Sequence, residues 1–288
     1  ERRWHCGTLR GTCAVPWQAG VVPEISTDLG RRVWWVDAFI GEGARGSPAV
    51  VVLLESDLST SRCQQIASEL MVAETAFLRR HLDGWELRCF TPTVEVELFG
   101  HASLAALHVL FTELRATDPE YVFSTRGGPI VGRRDGRQLA LEMPRHEIAP
   151  AALDDVERAL GTVRQAWTTE AGDLVVLLDS YDALCALDPD AVEMFLVPAS
   201  LIVAIADGGV DADVAMRVFA PRLGVREDPV TGRALCALAP IWHERTGEHR
   251  LLVRQLSRRG GVLAATLYED HVEVLGRART FLSGDLWA

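Results

Sequence analysis

Three side chains in this sequence have the type and the setting to move a proton. Glu74 follows the apolar stretch Leu70-Met71-Val72-Ala73. A carboxyl group in apolar surroundings keeps its proton to a higher pH than one in water, as a reversible proton carrier near neutrality must. His101 and Asp228 stand close to two glycines, Gly100 and Gly232, that each open an Ala-rich apolar helix. A helix start offers free backbone N–H groups and the positive end of the helix dipole, and so receives anionic oxygens. Two such starts facing each other would frame a cleft for a small carboxylate.

Each residue also has an ordinary explanation. Glu74 fits a surface or capping carboxylate, His101 a packed helix start, and Asp228 a turn former ahead of Pro229. On the residues alone the chain is a two-lobed α/β protein with an anion-binding cleft, and its chemistry stays open.

The elements that must position these groups follow from hydrophobic period. Buried strands are predicted over 33–39 and 49–54, and a helix over 59–70 with a hydroxyl N-cap. Strands are predicted at 77–78 and 85–90, and 94–98 alternates with the period of two of a half-buried strand. A strongly apolar helix is expected over 102–114. Further on, strands are expected at 121–123, 128–131, 139–143, 174–178 and 201–206, with helices at 153–160 and 234–245. A hairpin closes the pattern, with strands at 262–268 and 271–275 turning at Glu269-Asp270.

One pattern occurs twice. Phe90-Thr91-Pro92 precedes Gly100-His101-Ala102 and an Ala-rich helix, and Phe219-Ala220-Pro221 precedes Gly232-Arg233-Ala234 and another. Gly100, Ala102 and Ala105 align with Gly232, Ala234 and Ala237. Two related halves are expected, each wrapping strands about a buried helix.

Composition narrows the function. A net charge of −11 argues against a nucleic-acid partner. The chain contains no lysine, so Schiff-base and pyridoxal mechanisms are excluded. Its six cysteines are scattered, with neither CxxC spacing nor a nearby His, so a zinc site or disulfide framework is not expected. No stretch approaches the ~20 apolar residues of a membrane span, and no apolar signal region is visible near Glu1, so a cytoplasmic location is expected.

The motifs, in order, resemble the PhzF-like proteins of the diaminopimelate-epimerase fold. Gly46-Ser47-Pro48-Ala49-Val50-Val51 is similar to the family's G-N-P-A-A-V segment, and Ala73-Glu74-Thr75-Ala76-Phe77 to S-E-T-x-F with its catalytic glutamate. Arg88-Cys89-Phe90-Thr91-Pro92 and Val94-Glu95-Val96-Glu97-Leu98 resemble R-x-F-T-P-x-x-E-V, and Gly100-His101-Ala102-Ser103-Leu104-Ala105-Ala106 resembles G-H-A-T-L-A-A. Glu227-Asp228-Pro229-Val230-Thr231-Gly232 and Gln255-Leu256-Ser257-Arg258-Arg259-Gly260-Gly261 extend the match into the second half.

The resemblance implies an α+β fold of two pseudo-symmetric halves, each a curved, mainly antiparallel sheet around a central helix. The expected boundaries are an extension over 1–32, a first half over 33–145 and a second over 146–288, with the last strands free to return to the first half. It implies a homodimer that needs no metal and no organic cofactor. It assigns Glu74, His101 and Asp228 to catalysis and Gly100 and Gly232 to anion binding, and Arg233, Thr231 and Ser47 complete the expected binding set for a small carboxylic acid. The implied reaction shifts a proton and a double bond in a small unsaturated cyclic acid of an antibiotic-type pathway.

Departures matter too. Ser47 stands where the family has Asn, and Arg233 where a small hydroxyl residue follows the second glycine. A guanidinium there could grip a substrate carboxylate at two points or fill the pocket, which argues against the phenazine precursor as substrate. A pyrroline or dihydropyrrole carboxylate is an alternative, and a catalytically silent ligand-binding protein is another. A two-thiol epimerase is excluded, because the positions before the two glycines hold Phe99 and Thr231.

Overall fold

The computed structural model describes residues 30–81, 84–97, 100–152 and 154–287. The expected extension over 1–32 lies almost wholly outside the described residues, and Arg31 and Arg32 already belong to the first strand, Arg31–Ala38.

Two curved sheets with the same pairing pattern make up the fold. In the first, neighbours run Ala278–Leu286, Arg31–Ala38, Ser47–Leu54, Glu74–His81, Gly84–Phe90, Glu120–Thr125, Gly128–Asp135 and Gln138–Pro144. In the second they run Ile148–Pro150, Gln165–Thr169, Leu174–Leu177, Ile202–Asp207, Val214–Phe219, Arg250–Gln255, Gly261–Leu267 and His271–Gly276. Both series have their parallel pairs at the same two places, third with fourth and fifth with sixth. The antiparallel pair Gln138–Pro144 and His271–Gly276 joins the two sheets. The final strand, Ala278–Leu286, returns to pair with the first.

A parallel pair requires a crossover, and here the crossovers are helices. Helix Thr60–Leu70 links one parallel pair of the first half, capped by the Ser59 hydroxyl, which accepts from the Arg62 N–H. The two central helices link the fifth strand to the sixth in each series, and the short helices Tyr181–Ala186 and Ala191–Leu196 lie between Leu174–Leu177 and Ile202–Asp207. Gly100–His108 is buried from Gly100 through Leu107, and Leu235–Thr246 is buried from Leu235 through Ile241. Their side chains belong to one continuous core, in which Leu104 and Leu107 meet the same cluster as Leu235, Leu238 and Ile241. Burial on every side explains why both helices read as apolar all round.

Several elements differ from expectation. The helix expected over 102–114 changes to a wider turn at Val109–Glu113, where the Leu114 N–H donates to the Val109 carbonyl at 2.9 Å. Of the strand expected over 94–98, Glu95–Val96 pairs with Phe90 and Cys89, Val94 and Glu97 lie outside it, and position 98 is outside the described residues. The second central helix is entered through a tight turn at Gly232–Ala234. Strands Ile148–Pro150, Gln165–Thr169, Arg250–Gln255 and Ala278–Leu286 and the short helices Tyr181–Ala186 and Ala191–Leu196 were not predicted from period. Ala278–Leu286 is mostly exposed and pairs only through one edge, so it lacks a strand's apolar alternation. No helix among the described residues is long and apolar enough to cross a membrane.

Candidate active site

The two helix starts meet. A Cβ placed on Gly100 would lie 3.0 Å from the Gly232 Cα, and one placed on Gly232 would lie 3.3 Å from the Gly100 Cα. Only residues without a side chain fit such an approach. Around this contact opens a cleft of about 520 Å³, walled by both halves.

Glu74 is the first residue of strand Glu74–His81, held in parallel register against Ala49. The chain reaches it from Met71, whose left-handed φ of 52° ends the preceding helix. Burial, reinforced by the nearby charge of Asp228, pushes the Glu74 carboxyl up to about 8. Hydrogen bonds from the Cys89 thiol and the Ala102 N–H pull the other way without overcoming burial. Cys89 is itself fully buried and its thiol is pushed well above the ordinary range.

His101, the second residue of its helix, is buried, and burial pushes it down to about 4. At neutral pH it is therefore uncharged. Its Nε2 faces Glu74 Oε2 at 3.3 Å. The approach is that of two neutral groups, not an ion pair, and neither atom makes a hydrogen bond among the described residues. Buried polar atoms are seldom left unpaired, so this pair holds bonding capacity for a ligand.

Asp228 comes from the loop after strand Val214–Phe219. Burial pushes its carboxyl up to about 6, against the pull of the Thr231 hydroxyl, which donates to Asp228 Oδ2. At neutral pH Asp228 is mostly ionised and Glu74 mostly protonated. Gln255 fixes this loop from beneath. Its Nε2 donates to the Asp228 carbonyl at 2.7 Å, and its Oε1 accepts from the Thr231 N–H at 2.8 Å. The Ser257 hydroxyl adds a bond to the Pro229 carbonyl at 2.6 Å.

The structure therefore brings Glu74, His101, Gly100, Asp228, Thr231, Gly232 and Arg233 to one cleft. Ser47 is a correction to the expected binding set. As the first residue of its strand it pairs with Ala38 and is fully buried, so it does not line the cleft. Arg233 spends its Nε–Nη2 edge on the Asp173 carboxylate, so any grip on substrate falls to its Nη1 side. Phe99 lies outside the described residues. Gln255, Asp173 and Cys89 had no assigned role in the sequence. Gln255 opens a segment singled out there, which could have marked it; the other two carry no local signal. Among the described residues no group of three or more His, Cys, Asp or Glu is arranged to hold a metal ion.

Comparison with known proteins places this geometry. The family described as "Phenazine biosynthesis-like protein" matches residues 36–284. An uncharacterized isomerase of Pseudomonas aeruginosa is 38% identical over 250 residues, 86% of this chain and 95% of that protein. The human phenazine biosynthesis-like domain-containing protein is 31% identical over 286 residues, covering 89% of this chain and 99% of its own. The crystal structure of a PhzF-family protein from Enterococcus faecalis superposes with a TM-score of 0.83 at 30% identity, over 90% of this chain and 100% of that one. A hydroxyproline epimerase from Agrobacterium vitis, at 12% identity and a TM-score of 0.62, covering 89% of this chain and 92% of its own, shares the fold. With the family match spanning most of the chain, the protein belongs to the phenazine biosynthesis-like, PhzF-type family, on the epimerase-like fold of two pseudo-symmetric halves.

Proposed function

We propose that this chain is a cofactor-independent isomerase that moves a proton and a double bond within a small unsaturated cyclic carboxylic acid of an antibiotic-type biosynthetic pathway. The observation that carries the reading is the Glu74–His101 pair, two buried polar atoms 3.3 Å apart with no other bond among the described residues. Relatives named as isomerases support the reaction class.

In this scheme the ionised form of Glu74 takes a proton from a carbon next to the ring double bond. The C–H electron pair moves into the conjugated system, the double bond shifts, and the Glu74 carboxylic acid returns the proton at the far carbon. No atom is gained or lost. A carboxylate with its pKa near 8 is a much stronger base than an ordinary one and is still populated at neutral pH. Neutral His101 and the N–H groups at Gly100 and Gly232 receive developing negative charge. Ionised Asp228 would repel such charge, so its part is to accept a hydrogen bond from a substrate N–H or O–H and to hold Glu74 high. Thr231 acts through Asp228, to which its hydroxyl is committed. The homodimer implied by the resemblance, and the absence of any metal or organic cofactor requirement, form part of this proposal.

The test is an NMR screen of unsaturated five- and six-membered ring acids for movement of the double bond. The proposal expects turnover of at least one ring acid, blocked in Glu74→Gln. Movement at equal rates in both proteins would contradict it.

A further inference from the structure

The second helix start carries a charged pair that the proton-transfer scheme leaves unused. Arg233 Nε donates to Asp173 Oδ2 at 3.1 Å, and Nη2 donates to Oδ1. Asp173 is only 2% exposed, and its backbone is tied to Thr169 in both directions. The Asp173 N–H donates to Thr169 Oγ1 at 3.1 Å, and its carbonyl accepts from the Thr169 N–H at 3.0 Å. The guanidinium is thus held from behind by a rigid acceptor. Its third nitrogen, Nη1, makes no hydrogen bond among the described residues, and Arg233 lines the cleft with 21% of its side chain exposed.

Charge says what this nitrogen is for. Among the described residues that line the cleft, Arg233 is the sole Arg or Lys, while Glu74, Glu97 and Asp228 are acids. A carboxylate entering beside an ionised Asp228 requires a cation, and the partial charges of two helix starts are weaker than a guanidinium. A guanidinium already fixed by a buried partner loses little freedom when it adds one more charge-assisted bond. The remaining wall of the second half is apolar, with Leu201, Leu223 and Val225.

We propose that Arg233, oriented by Asp173, is the specificity-determining residue, anchoring the carboxylate of a monoanionic acid through Nη1 while the acid's ring lies against Leu201, Leu223 and Val225. Anchored there, the ring sits at the meeting of the two helix starts, with Glu74 and His101 supplied by the other half. Asp173 is a positioning residue in this account. The inference rests on the isomerase reading for the reaction, but its test reads binding alone.

The probes are pyrrole-2-carboxylate, a stable planar ring acid, and pyrrole-2-carboxamide, its uncharged counterpart, titrated calorimetrically. Wild type is expected to bind the acid at least about tenfold more tightly than the amide, the scale of a hydrogen bond to a charged group. The double variant Arg233→Gln/Asp173→Asn keeps a neutral polar pair at the same place, and its melting temperature checks that it folds. It is expected to bring acid and amide within about twofold of each other. Arg233→Lys keeps the charge but loses the fork held by Asp173, and an intermediate ratio is expected. A wild type that does not prefer the acid, including one that binds neither probe, would overturn the proposal, as would a preference that survives in the double variant. A lysine variant as selective as wild type would overturn the orienting part played by Asp173. None of these outcomes touches the Glu74 reading, because neither probe can isomerise.

Discussion

Gly100 and Gly232 are in backbone contact, and a methyl group on Gly100 would press to 3.0 Å from the Gly232 Cα. The two halves can bring their helix starts to one point only because neither position carries a side chain. Gly100→Ala must push the starts apart or shift both helices. A cost of about 1–3 kcal/mol is expected from such overpacking, read as a lower urea midpoint. Turnover should fall further, about a hundredfold, because a displacement near 1 Å misplaces the reacting groups. A Gly100→Ala protein with wild-type turnover would show that the close contact is incidental.

The charge of Asp228 helps to hold the titration of Glu74 high. The base-first scheme requires ionised Glu74, so kcat/KM should rise with pH and level off above about 8. Asp228→Asn removes the charge that helps hold Glu74 high, so the rising limb should move to lower pH even as activity drops. A limb that stays in place would separate the two groups.

Stability should carry the same signature. The folded Glu74 carboxyl titrates near 8 against 4.5 in an unfolded chain, so the native state holds the extra proton between those values. Stability contributed by this group is fully present below 4.5 and is lost as pH rises toward 8. Glu74→Gln escapes that loss, and its advantage over wild type should grow across the window to a few kcal/mol, on the order of 1.4 per pKa unit. Melting temperatures at pH 5 and pH 8.5 test this, and an advantage that does not grow with pH would contradict the assigned burial.

Gln255 should matter more than its distance from the chemistry suggests. It is 1% exposed and bonds the Asp228 carbonyl and the Thr231 N–H together. Gln255→Leu leaves both groups unsatisfied, costing about 1–3 kcal/mol each, and releases the loop that carries Asp228. Gln255→Glu keeps the acceptor for Thr231 and should recover part of the loss. Equal turnover in wild type and Gln255→Leu would remove the clamp from the account.

The sequence revealed the groups that sit at element starts. Glu74 opens a strand, His101 and Gly100 a helix, and Asp228 precedes the second helix, so each is marked by a local change of pattern. The doubling of Gly100 and Gly232 likewise reported the two-half architecture, since a glycine demanded by close approach stands out among apolar neighbours. Asp173 is different. It follows Gly172 in a turn, and the partner that gives it meaning, Arg233, lies sixty positions on. Cys89 belongs to a strand whose neighbour, not its own period, sets it beside Glu74. Ser47 misled for the reverse reason, because motif position was read as cleft position, whereas strand pairing with Ala38 keeps it buried. Long-range pairing has no period, and so leaves no mark along the chain.

The central claim is that Glu74 itself carries the proton. Its most direct test is incubation of wild type and Glu74→Gln in deuterated water with ring acids that both proteins bind, followed by NMR. The account predicts movement of the double bond with wild type, carrying deuterium wherever the Glu74 proton exchanges with solvent before its return, and neither movement nor deuterium with Glu74→Gln, at matched occupancy. Double-bond movement or exchange of equal extent in the two proteins, or neither in wild type despite binding, would contradict it, and the latter would leave a ligand-binding protein on an isomerase fold.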